Sequence, residues 1–321
     1  MKARSCVPVV LAVTFASGCA APPGKPRLPP AEPPAPRVVR VQVTENGISR
    51  VRAVPLEDYV RASVVSEFAP ASGEADVVER MLEVQAVISR TYALAHLARH
   101  ASEGFDLCST THCQLFEPSR LRTSRWADAA RAATEHTAGE VLWFDGAPAT
   151  AVFHADCGGH TSNSRDVWGG AGRPYLVGIA DDGPAEQAHA GWRYEAAATA
   201  VLRALDADRR TRTGARLDGL TVLDRDPAGR AERIAVSGAR DRIVRGEELR
   251  DALSRAFGPH AIRSTLFTVR RQRGTFIFEG RGFGHGVGLC QAGALACVRA
   301  GQPLPAVLQR YFPGTKLISL K

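Results

Sequence analysis

"RVVRVQVTENGISRVRAVPLEDYVRASVVSEFAP", residues 37–70, carries two kinds of periodicity back to back. In "RVVRVQV" and "ISRVRAV" polar residues alternate with β-branched ones on either side of "TENG", the pattern of a hairpin with a tight turn. From Leu56 the period changes. Leu56, Val60, Val64 and Glu67 recur at steps of four, four and three, which places them on one face of a helix that Pro70 stops. A chain that opens with strands and passes into helices before strands return reads as α+β, not as a doubly wound parallel sheet.

A second, longer helix is expected over residues 76–100, "DVVERMLEVQAVISRTYALAHLARH". Val77, Met81, Leu82, Val84, Ile88, Tyr92 and Leu97 give it the broad apolar face of a central core helix. "FDLCSTTHCQLF" at 105–116 is too rich in cysteine and threonine to extend it. A further helix is expected from Ser124 to Thr137, followed by the strand "GEVLWFDG" and by "PATAVFHADCGGHTSNS", a strand running into a glycine turn. Residues 192–270 alternate strand-like and helix-like runs, "TLFTVRRQ" and "TFIFEG" read as late strands, and a last helix is expected from Gln291 to Gly301. No repeat of fixed period and no second linker divides residues 38–321, which read as one mixed α+β domain open to division into lobes.

The start of the chain reads differently. Lys2 and Arg4 precede the apolar run "VPVVLAVTFAS" at 7–17, too short to span a bilayer, and "ASGC" then places Cys19 after small residues. We expect a lipoprotein signal at 1–18 with Cys19 acylated, the alternative being an ordinary signal cleaved nearby. Eight prolines among residues 20–37 make 19–37 a semi-rigid tether. The expected setting is an exported lipoprotein, held by its lipid anchor at the periplasmic face of a bacterial outer membrane.

The formal net charge of +8 favours an acidic partner without naming one, and no aromatic-basic signature of nucleic-acid binding is present. Of seven cysteines, five remain once Cys6 and Cys19 are set aside, and an odd number in an oxidising compartment leaves at least one thiol free, metal-bound or intermolecular. Cys108, His112 and Cys113 offer donors that suit Zn²⁺, and His154, Cys157 and His160 offer an alternative set. Neither has the paired C-x-x-C spacing of a structural zinc site, and Cys108–Cys113 or Cys157–Cys290 disulfides compete.

"GRGFGHGVGLCQ", residues 280–291, has glycine at 280, 282, 284, 286 and 288. Phosphate-cradling spacings are absent. In an extended conformation the glycines would share one bare face, open to a flat sugar polymer, with Arg281, Phe283 and His285 on the other; a tight turn or close packing without ligand is the alternative. Glu67 prolongs the apolar stripe of its helix, so it is expected to be partly buried with a raised pKa, unless it pairs with Arg90.

"VPLEDYVRASVVSEFAP", "VQAVISRTYAL", "DLCSTTHCQ", "FHADCGGHTSNS" and "GRGFGHGVGLCQAGA" followed by "YFPGT" resemble, in order and spacing, the stage II sporulation protein D family, also called SpoIID/LytB. Departures are Phe68, Phe283, Cys290 and Ala292. The resemblance implies a peptidoglycan lytic transglycosylase that prefers glycan strands stripped of stem peptides. Glu67 maps onto the family's catalytic acid, and some relatives hold zinc through the first cysteine motif. A mildly basic cleft would suit the lactyl carboxylates of a denuded strand, so Arg281, His285 and Gln291 are expected as substrate contacts, with Arg90 in the same substrate-binding set as a supporting residue. The alternatives are a non-catalytic glycan binder that enhances a cell-wall amidase, and a zinc hydrolase built on His154, Cys157 and His160.

Overall fold

The computed structural model describes residues 38–45, 47–70, 72–181 and 191–320. The expected signal, the Cys19 acylation site and the tether lie outside the described residues. The fold is a mixed α+β one, built on five small sheets and three apolar clusters.

Val38–Glu45 (β1) and Ile48–Pro55 (β2) form the expected hairpin, with Glu45 opposite Ile48 and Gly47 at φ +77°. Leu56–Glu67 (α1) follows directly. Its Leu56, Val60 and Val64 are buried, and Phe68 takes an extended conformation that ends the helix.

Ala75–Ala95 (α2) is the central helix, apolar on two sides. Val77, Met81, Val84 and Ile88 enter one cluster, and Val78, Leu82, Ala86 and Ala93 enter another. It stops five residues short of the expected end. The His96 ring bonds the Tyr92 carbonyl at 2.8 Å, Ala98 adopts φ +61°, and its N–H donates to Asp106. The chain therefore doubles back, and His100 faces Phe105 across a single β-bridge.

Leu107–Cys108 (β3) adds to β1 in parallel. After a single short turn of helix at Arg120–Thr123 (α3), the helix expected from Ser124 to Thr137 forms as Ala127–His136 (α4). Glu140–Phe144 (β4) pairs with Ala147–Pro148 (β5). Of the strand expected in "PATAVFHADCGGHTSNS" only Phe153–His154 (β6) forms, and the expected glycine turn follows at Gly158 and Gly159, both with positive φ. Ser164–Trp168 (α5) closes this part.

A third apolar cluster draws its buried residues from positions 192–278. Gly191–Ala197 (β7), Ala198–Asp206 (α6), Leu217–Arg225 (β8), Ala231–Gly238 (β9), Arg242–Arg245 (β10), Gly246–Phe257 (α7), Phe267–Gln272 (β11) and Thr275–Arg281 (β12) form two antiparallel three-stranded sheets with two helices against them. The chain then returns to the first part. Leu289–Cys290 (β13) pairs with β6, Gln291–Arg299 (α8) and Leu304–Tyr311 (α9) follow, and Lys316–Ser319 (β14) pairs with β4.

The glycine stretch is not the extended ribbon expected of it. Gly282, Gly284, Gly286 and Gly288 have φ between 70° and 108°, so the backbone reverses hand at every second residue. A side chain at Gly284 would meet His154, and one at Gly286 would sit on the Arg230 guanidinium. The space the glycines leave is filled by the protein's own atoms and presents no bare face to a sugar polymer.

Candidate active site

Glu67 is the last residue of α1, partly buried, and its Oε1 accepts the Leu115 backbone N–H at 2.6 Å. Burial pushes its carboxyl up to about 7; the Leu115 bond opposes this, the Glu117 carboxylate adds to it, and Arg120 opposes it. Among the described residues no cation forms a salt bridge with it. Arg90, the expected rival partner, is fully buried and makes a two-pronged pair with Glu57, Nη2 to Oε2 at 2.6 Å and Nε to Oε1 at 2.8 Å.

The loop 114–117 is stitched to α1 at three points. Tyr59 bonds Gln114 at 3.1 Å, Leu115 donates to Glu67, and Glu117 N–H donates to Ser66 Oγ at 2.9 Å. Beneath it runs a buried polar chain from Gln114 through Ser89 and Gln85 to Gln291, with links of 2.8, 3.2 and 3.0 Å. Gln291 also donates to the Glu67 carbonyl at 3.3 Å. In a packed interior every such polar group needs a partner, so this chain holds the end of α1 in one place.

Two of the expected substrate contacts are corrected by this geometry. Arg90 has no solvent exposure and spends its donors on Glu57 and on the carbonyls of Glu140 and Thr134. Gln291 is 8% exposed and positions Glu67 from behind. His285 is partly buried and lies against Trp168 and His154 at ring separations of 5.2 and 5.4 Å. Burial lowers its pKa to about 4, so it is neutral at physiological pH and carries no charge for an anionic ligand. Arg281 is exposed at the end of β12. A cavity of about 600 Å³ opens elsewhere, walled by Arg165, Arg173 and Arg225, and none of these predicted residues lines it.

Four donors converge beside the Glu67 loop. His100, Cys108, His112 and Cys113 each offer one ligand atom, all within 4.8 Å of one another. His112 Nδ1 lies 3.7 Å from Cys108 Sγ and 3.6 Å from Cys113 Sγ, and His100 Nε2 lies 3.3 Å from Cys113 Sγ. With metal bonds of about 2.3 Å to sulfur and about 2.0 Å to nitrogen, a tetrahedral zinc site has S···N edges of roughly 3.5 Å. The donor set therefore fits. His100 Nδ1 is held by Glu103 at 2.6 Å, the outer-sphere carboxylate common behind metal-bound imidazole. His100 is the ligand the sequence reading missed; read as the end of a helix, it gave no sign that the chain turns back at His96.

The alternative metal set does not assemble as expected. His154 and Cys157 converge with Cys290, while the His160 ring lies 2.6 Å from the Thr161 carbonyl and stays outside the group. Among the described residues, Cys108, Cys113, Cys157, Cys290 and Cys297 are free thiols in this structure.

Residues 44–144, from β1 to β4 and containing Glu67 and the Cys/His cluster, match the family model of the stage II sporulation protein SpoIID. Over 291 residues the chain is 24% identical to stage II sporulation protein D of Bacillus subtilis, covering 87% of this chain and 79% of that one. These matches support the SpoIID family for this chain, whose SpoIID domain spans residues 44–144. A second family model, a domain of unknown function, matches residues 185–288 of this chain and overlaps its third apolar cluster. It is also 28% identical over 270 residues to an uncharacterized protein of Brachyspira hyodysenteriae, 84% of this chain and 68% of that one. The amidase enhancer of Bacillus subtilis is 25% identical over 285 residues, 74% of this chain and 38% of the enhancer.

Proposed function

We propose that this SpoIID-family protein is a peptidoglycan lytic transglycosylase that cleaves glycan strands lacking stem peptides and leaves 1,6-anhydro-muramic acid ends. Family membership and the amidase-enhancer relative fit a cell-wall-related role. The observation that carries the finer reading is Glu67, a carboxyl with no salt bridge among the described residues, whose pKa burial raises to about 7. Hydrolysis of a glycoside ordinarily takes two carboxyl groups. A lytic transglycosylase needs one: protonated Glu67 gives its proton to the bridging oxygen, then as carboxylate accepts the proton of the muramic acid 6-hydroxyl while that oxygen closes on C1.

Zinc at His100, Cys108, His112 and Cys113 belongs to the same reading. When bound it supplies a rigid cross-link, and Cys113 directly precedes the Gln114 and Leu115 contacts to α1. The cluster's role is to hold the loop that faces Glu67, not to take part in bond breaking. Export as a lipoprotein through Cys19, and cooperation with a cell-wall amidase, complete the proposal.

A second reading, favoured by the amidase-enhancer relative, is a glycan binder without catalysis. Incubation with peptide-free strands and mass spectrometry of the products separates the two. Anhydro ends from the wild type and none from Glu67→Gln support the transglycosylase. Reducing ends alone would make it a hydrolase, and strand binding without cleavage by either protein would make it an enhancer.

A further inference from the structure

We propose that His154, Cys157 and Cys290 form a second, fully buried metal site that takes a zinc-class divalent ion. The idea does not depend on the transglycosylase reading. The three donors come from β6, the turn after it and the last residue of β13, and their ligand atoms all lie within 4.8 Å of one another. Cys157 and Cys290 have no solvent exposure and His154 has 4%.

Three observations separate this group from an ordinary apolar packing of thiols. The His154 Nδ1 bonds the Val287 carbonyl at 3.2 Å, which fixes the tautomer and leaves Nε2 as a bare lone pair; that nitrogen is buried and has no partner among the described residues. An orphaned buried nitrogen of this kind is costly unless something is meant to occupy it. Both sulfurs also receive main-chain donors, while the Cys157 thiol donates to the buried Asp181 Oδ2 at 3.4 Å, a proton that metal binding would displace. Gly159 N–H donates to Cys157 Sγ at 3.3 Å, and Cys290 Sγ receives Cys157 N–H at 3.3 Å and Gly293 N–H at 3.4 Å. Finally, two thiols and an imidazole are a soft-to-borderline donor set that selects zinc-class ions over calcium or magnesium.

Binding converts two thiols to thiolates and releases two protons to solvent, and no oxidant is required. Because the donors are enclosed, the ion would be captured as the chain folds. Its place in the fold gives it consequence: Cys290 N-caps α8, and the next residue, Gln291, holds the Glu67 carbonyl. The ion would tie the turn at 157–159 to the base of that helix.

The test is metal content per chain on full-length protein purified from zinc-supplemented cells, with thiols counted in denaturant without reductant. Cys290→Ser is expected to hold one equivalent of zinc fewer than wild type. His154→Gln, which leaves both thiols in place, is expected to lose the same equivalent. With cobalt in place of zinc, a Cys108→Ser/Cys113→Ser background should keep thiolate-to-cobalt absorption that disappears on adding Cys290→Ser, so failure of the first cluster is read separately. Equal zinc in wild type, Cys290→Ser and His154→Gln would overturn the proposal. So would a wild-type thiol count lower by two because Cys157 and Cys290 are joined.

Discussion

Leu115 donates its backbone N–H to Glu67 Oε1 at 2.6 Å, two residues beyond Cys113 of the Cys/His cluster. A main-chain donor cannot be exchanged for another by mutation, so the orientation of the carboxyl depends on where the cluster holds the loop. Stability, acidity and metal content therefore meet at one hydrogen bond.

The pH dependence of Glu67 has a definite sign. An unfolded glutamic acid releases its proton near 4.5, whereas Glu67 in the fold keeps it to about 7. Between those values the native state binds the extra proton, so its contribution to stability is full below pH 4.5 and is lost as pH rises through 7. Glu67→Gln is expected to be more stable than wild type above pH 7, by an amount on the order of 3 kcal/mol, and equal to it near pH 4. Urea unfolding at the two pH values checks this. The cleavage rate of the wild type is expected to fall above pH 7, as the acid form is titrated away.

Arg90 acts on folding. Arg90→Met leaves Glu57 and the Glu140 and Thr134 carbonyls without their guanidinium, and a loss of about 3 kcal/mol is expected. Arg90→Lys should recover only part of this, since an ammonium cannot reproduce the two-pronged pair. A weakened affinity for glycan strands with unchanged melting temperature would contradict the structural role.

His100→Ala is expected to reduce zinc content as far as Cys113→Ser does, and Glu103→Gln to weaken zinc affinity about 10–100-fold through the lost support of His100. Chelation of the wild type should lower its melting temperature and its cleavage rate together, with the Glu67→Gln protein melting in the same way. Competition against a chromophoric chelator gives the affinities.

Gly286→Ala places a methyl on the Arg230 guanidinium at a backbone φ of +79°. Strain of this kind and a buried clash together should cost about 2–4 kcal/mol. If instead the glycine stretch served as an open sugar-binding face, the substitution would weaken strand binding and leave the unfolding midpoint where it was.

Gln291→Leu removes the donor shared by Glu67 and Gln85 and leaves Gln85 Oε1 buried without it. A stability loss of about 1–3 kcal/mol is expected. Because Gln291 acts through Glu67, the rate constant for cleavage should fall with little change in KM.

Local pattern determined a good deal. The hairpin around "TENG", the stripe ending at Glu67 and the two-sided apolar helix are short-range periodicities, and the residues that write them are also those that form them. Cys108, His112 and Cys113 sit within six residues, so their cluster was visible in the order of the letters. What tertiary structure alone decided is which distant groups share a space. Whether Arg90 faces a ligand or Glu57 depends on the packing of α1 against α2, 33 residues apart in the chain. His100 becomes a donor because the helix unwinds at His96, and Cys290 displaces His160 because β13 lies alongside β6. The five glycines looked like an open ribbon, yet Gly284 and Gly286 let His154 and Arg230 approach the backbone, and the others lie against Trp192, Asp156 and Val152. Periodicity reports which face of an element is apolar; it contains no information about what comes to rest against that face, because that is set by the summed packing of the whole chain.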